Sequence, residues 1–159
     1  MANSDISPFI ESNDIIDDAE ALRRRYRRDG YLFFRGLIPT EDVLNVRRKF
    51  MEESQKAGWL RDGSDLMDGL TDHEPLFEGA PGWVAVYEQI QKLEDFHRLK
   101  MRPELIDIAE KLSDESVFVI PATIGRMAFP RDNKQITQPH QDWLYLQGSV
   151  DQISCWIPL

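Results

Sequence analysis

A chain of 159 residues with 42% hydrophobic and 30% charged side chains can fill one proper core and is too apolar to be disordered. Its 19 Lys and Arg stand against 28 Asp and Glu, and the net charge of −9 disfavours nucleic acid and anionic membrane surfaces as partners. Cys155 is the single cysteine, the acidic start lacks the basic and apolar regions of a secretory leader, and no run approaches the roughly 20 apolar residues of a membrane span, so a cytoplasmic location is expected.

The elements read in order as follows. Residues 1 to 13 are irregular. A helix is expected from about Asp14 to Asp29, stopped by Gly30, which tolerates the positive φ of a helix C-cap. Its five arginines, Arg23, Arg24, Arg25, Arg27 and Arg28, spread around the helix and read as a solvated, salt-bridged surface. Residues 31 to 38, Tyr-Leu-Phe-Phe-Arg-Gly-Leu-Ile, read as a short buried strand. Thr40 opens a second helix reaching Ala57, with Val43, Val46 and Phe50 as its apolar stripe and Gly58 as its stop. Residues 58 to 82 form a long Gly- and Asp-rich loop. Helical spacing returns from Trp83 to Leu99 and again from Pro103, where Leu105, Ile108, Ala109 and Leu112 share a face. The period then changes. Val117 to Phe129 reads as a long strand bent at Pro121 or Gly125, followed by a polar loop over 130 to 138. His140 to Leu146 and Gln152 to Ile157 are the last two expected strands. Helices followed by strands imply an α+β fold, with 1–115 mainly helical and 116–159 in strands.

Nucleophile elbows, phosphate-binding loops and dinucleotide fingerprints are absent from the sequence. Cys155 sits in an apolar stretch and reads as a core residue. Of the three histidines, His97 continues the face of Val86, Ile90 and Leu93 and reads as a hydrogen-bonded core residue, whereas His73 lies in an acidic loop and reads as solvated. His140-Gln141-Asp142 is different. On a strand, residues i and i+2 project to the same face, so an imidazole and a carboxylate would stand side by side as two ligands of one metal must. Such a pair plus one more histidine makes the facial triad of non-haem Fe(II) oxygenases. An acidic chain carries the bare triplet by chance often enough that a surface histidine beside an acidic neighbour is the competing reading.

In context the sequence resembles the phytanoyl-CoA dioxygenase family of Fe(II)/2-oxoglutarate oxygenases. The resemblance rests on Asp29 to Ile38 followed by the helix from Thr40, on Met127-Ala128-Phe129-Pro130 leading to Pro139-His140-Gln141-Asp142, on Tyr145 five residues after His140, and on Ser154-Cys155-Trp156-Ile157-Pro158-Leu159. It implies part of a double-stranded β-helix, a cupin-like jelly-roll, behind an N-terminal helical layer, in a single domain over 1–159. Fe(II) would be held by His140 and Asp142, and 2-oxoglutarate would lie near Trp156. Thr123 and Met127, which with Gly125 share one face of their strand, would line its pocket, and Tyr145 would meet a small organic substrate. The implied reaction is hydroxylation of a C–H bond, coupled to oxidative decarboxylation of 2-oxoglutarate. Asp142 favours this over halogenation, which requires the carboxylate to be replaced.

Seventeen residues follow Asp142, and none is the His, Lys or Arg that the family uses as third metal ligand and 2-oxoglutarate anchor. The expectation is therefore an incomplete form of the enzyme, the N-terminal part of a longer one. His73 or His97 completing the site, or self-association supplying the missing segment, are the alternatives within that reading. The alternative function is a non-catalytic interaction or regulatory module derived from the same fold.

Overall fold

The computed structural model describes residues 7–130 and 140–159. Residues 1–6 of the start expected to be irregular, and residues 131–139, which include most of the expected polar loop and Pro139, lie outside them. Among the described residues there are six α-helices: α1 (Ala19–Asp29), α2 (Thr40–Lys56), α3 (Pro81–Ile90), α4 (Glu94–Leu99), α5 (Pro103–Ser113) and α6 (Trp143–Leu146). The described residues contain no β-strand, and their one β-type pairing is an isolated parallel bridge between Glu11 and Phe33. This overturns the expected α+β class and the expected part of a double-stranded β-helix. None of the segments 31–38, 117–129, 140–146 and 152–157 is a strand. The reason is physical: a strand exists only when a neighbour exchanges backbone hydrogen bonds with it, and sequence alternation supplies the pleat but not the neighbour. Among the described residues no helix is long and apolar enough to cross a membrane.

The chain divides into two compact units. The first combines the described parts of Met1–Pro39 and Arg102–Phe118. Here α1 packs on α5, burying Leu22 and Ile108. Asp18 caps α1 by accepting from the Ala21 N–H, and Gly30 ends it at φ 77°. Four of the five arginines of α1 are engaged with partners rather than gathered into a basic stripe. Arg24 bonds Glu20, Arg28 bonds Asp29, and Arg25 reaches Asp14 and the Glu11 carbonyl. Arg23 donates to the Lys111 carbonyl of α5 at 2.7 Å, and Lys111 returns a bond to the Ile16 carbonyl. The segment expected as the first strand is fastened by side chains instead. Asn13 exchanges two hydrogen bonds with the Arg35 backbone, and Phe9 packs on Tyr31 and Phe33.

The second unit takes Thr40–Met101 with the described residues of Val119–Leu159. Its core is the apolar stripe of α2, Val46 and Phe50, packed with Trp83, Val86 and Ile90 of α3 and with Phe96 and Leu99 of α4. Phe50 and Phe96 meet edge to face with ring centroids 5.1 Å apart. The helix expected over 83–99 is two helices. The break exposes the Gln91 carbonyl, and His97 Nε2 donates to it at 2.8 Å, so His97 is hydrogen-bonded as expected. His73 departs from its solvated reading: it is half-buried against Phe129, with Nδ1 on the Glu74 carbonyl.

Residues 119–129 run extended across these helices. Gly125 is buried, Thr123, Met127 and Phe129 are half-buried, and the even-numbered residues from 120 to 128 are exposed. The alternation that predicts a strand is thus present, but its inner face meets helices. Side-chain donors take the place of a ladder: Gln91 Nε2 bonds the Thr123 carbonyl at 3.0 Å, Trp83 Nε1 reaches the Met127 carbonyl at 3.5 Å, and Lys100 Nζ bonds the Ile120 and Pro121 carbonyls.

Two consequences are measurable. A Cβ on Gly125 would stand 3.0 Å from Phe50 Cζ and 3.1 Å from Ile90 Cγ2. Gly125→Val should therefore cost about 1–3 kcal/mol through overpacking, read as a lower urea midpoint at unchanged slope. Asp95 at the start of α4 is held below its ordinary 3.8, first by the hydrogen bond from Lys49 and then by that from Asn45, both on α2. Its ionised form binds its proton more weakly folded than unfolded. It thus supports the fold above about pH 4, and that support is lost as pH falls through the lowered value. Asp95→Asn should lower stability at pH 7 and flatten the loss of stability below pH 4, measured as denaturation midpoints across a pH series.

Candidate functional site

His140 and Asp142 are brought together, though not by a strand. His140 lies outside any helix or strand, whereas Asp142 adopts helical angles, φ −58° and ψ −30°, at the entrance to α6. Its carbonyl accepts from the N–H groups of Tyr145 and Leu146. This turn, rather than the pleat, carries the carboxylate back to the imidazole, with His140 Nε2 3.2 Å from Asp142 Oδ1. Both side chains are part-exposed, at 30% and 40%. One turn of helix also brings Tyr145 over the imidazole, edge to face with ring centroids 5.7 Å apart. Across the gap of 12 residues, Ser154 Oγ donates to Asp142 Oδ2 at 2.7 Å.

The spacing answers whether the pair suits a metal ion. Ligand bonds of about 2.0–2.2 Å at a right angle put neighbouring donor atoms about 3 Å apart. The separation of 3.2 Å between a nitrogen and a carboxylate oxygen is that of a direct imidazole–carboxylate contact and is also compatible with that requirement, and imidazole with carboxylate is the donor set of a facial non-haem iron site. Among the described residues no group of three or more His, Cys, Asp or Glu is assembled. The thought that His73 or His97 completes the site therefore gains no support: each ring is bonded within its own neighbourhood, to the Glu74 and Gln91 carbonyls.

Thr123 and Met127 do share one face of their segment, and that face is turned onto α2 and α3, where their carbonyls are bound by Gln91 and Trp83. Trp156 is 84% exposed. Cys155, expected in the core, is exposed, although desolvation by its surroundings raises its thiol above the ordinary value. Ser154 is the residue that pattern reading passed over. Its position inside the Trp156 segment was visible, but a hydroxyl carries no spacing signal that ties it to a carboxylate 12 residues away.

Comparison with known proteins adds a functional context. The chain is 30% identical over 158 residues to a 1-deoxypentalenic acid 11-beta-hydroxylase of Streptomyces exfoliatus, covering 97% of this chain and 53% of that protein. It is 29% identical over 160 residues to the protein of the same name from Streptomyces arenae, covering 96% and 53% respectively. No family model matches, and no solved structure matches. The chain spans about half the length of the curated relatives it matches, and these relatives are hydroxylases.

Proposed function

We propose that this chain carries two of the metal-binding residues of an Fe(II)/2-oxoglutarate-dependent hydroxylase acting on a small organic substrate. The observation that carries the reading is the His140–Asp142 pair, whose donor atoms stand at the separation of neighbouring ligands. Similarity to hydroxylases along nearly the whole chain supports the reaction type.

His140 Nε2 and Asp142 Oδ1 would hold the iron. The chemistry supplied when Fe(II) and 2-oxoglutarate are bound is the oxidation of a C–H bond by O₂, and the protein's part is orientation and exclusion of water. Tyr145 packs its ring on His140, limits the rotation of the imidazole and offers an aromatic surface to a substrate. Trp156, with an exposed ring, is the proposed neighbour of 2-oxoglutarate, and Thr123 and Met127 are the further candidates for that contact. The net charge of −9 fits a small-molecule substrate better than a polyanion.

Anaerobic titration of the full chain with Fe(II), with and without 2-oxoglutarate, tests the reading. Binding at one ion per chain is expected, tightened by 2-oxoglutarate. His140→Ala and Asp142→Ala should each weaken it by more than the roughly 10–100-fold typical of a supporting residue. Iron binding that is unchanged in both variants would overturn the assignment.

A further inference from the structure

We infer that Ser154 is a positioning residue for the Asp142 carboxylate, holding Oδ2 so that Oδ1 is the oxygen presented beside His140; the inference rests on the iron site proposed above. An ionised carboxylate only accepts hydrogen bonds, so in the contact of 2.7 Å it is the Ser154 hydroxyl that donates. That length is ordinary for a well-formed O–H···O hydrogen bond and lies within the charge-assisted range. The two carboxylate oxygens are then used differently: Oδ2 is taken by Ser154, and Oδ1 faces His140 Nε2 at 3.2 Å.

The need for such a restraint follows from exposure. The Asp142 side chain is 40% exposed, and the last torsion of an aspartate is broad and nearly two-fold. Left alone, the group would rotate and offer either oxygen, or both at once, to an ion or to the imidazole. The bond from Ser154 selects one orientation and ties the turn at α6 to the segment carrying Trp156. His140 is restrained in parallel by the Tyr145 ring. Each of the two donors thus has a further side chain against it, as outer partners hold ligands in metal sites generally.

The test is calorimetric Fe(II) binding to the full chain under anaerobic conditions, with Ser154→Val and Ser154→Thr as an isosteric pair. Thr keeps the hydroxyl, whereas Val has the same shape without it. Ser154 is exposed, so both variants should keep the wild-type circular dichroism and urea midpoint. Ser154→Val should bind Fe(II) about 10–100-fold more weakly, and Ser154→Thr should restore wild-type affinity. Wild-type affinity in Ser154→Val, or equal weakening in both variants, would overturn the role of the donor while leaving the iron site standing. Wild-type chain that binds no Fe(II), or binding that persists in Asp142→Ala, would remove the iron site and the positioning role with it.

Discussion

The backbone of an extended segment has to be hydrogen-bonded, and residues 119–129 meet part of that demand, at four carbonyls, without a partner strand among the described residues. Gln91, Trp83 and Lys100 supply donors to their carbonyls, and all three come from the helical side of the second unit. Burial of Lys100 lowers its ammonium group below the ordinary value, consistent with a donor drawn partly out of water. Gly125 permits the approach, because only a residue without Cβ lies easily against both Phe50 and Ile90. The arrangement of α2, α3 and α4 around Phe50 therefore does two things. It makes the core, and it forms the bed on which the extended chain lies.

Arg47 extends the same principle to the last residues. Its guanidinium binds the Met67 carbonyl and, at 2.8 Å, the backbone oxygen of Leu159. Helix α2 thus anchors the segment that carries Ser154 and Trp156. Ser154 in turn reaches Asp142, so the orientation of one carboxylate depends on a short chain of polar contacts across the second unit. Charged groups do this work well because their hydrogen bonds are stronger than neutral ones. The site chemistry is local, while its geometry is borrowed from helix packing.

A histidine and an aspartate two apart can be paired by more than one backbone. A strand does it through the pleat, and here a helix entrance does it through the αR conformation of Asp142. The proposed use of the pair depends on the separation of two atoms and not on the element that carries them, so it is compatible with either backbone. The further expectation of a β-helix does depend on the element, and it fails for that reason.

Local signals determined α1, α2 and α5 and the presence of helix over 83–99, but neither the break between α3 and α4 nor α6, which reads as a strand in the sequence. Gly30, Pro81 and Pro103 mark helix boundaries, the stripe of Val46 and Phe50 marks the buried face of α2, and the alternation of Thr123, Gly125 and Met127 marks an inner face. These are decided by backbone sterics and by 3.6- or 2-residue periods, which a sequence displays directly. His140 and Asp142 stand two apart in the sequence, and that nearness is visible there whatever backbone joins them, but the strand pleat expected to pair them is not what does so. Tertiary structure alone decided what the inner face meets, that His73 lies against Phe129, that Cys155 is exposed and that Ser154 holds Asp142. Each of these is a contact between residues far apart in the chain or a property of the neighbours a segment acquires. Strand identity belongs to the second kind, since extended chain becomes a strand only beside another.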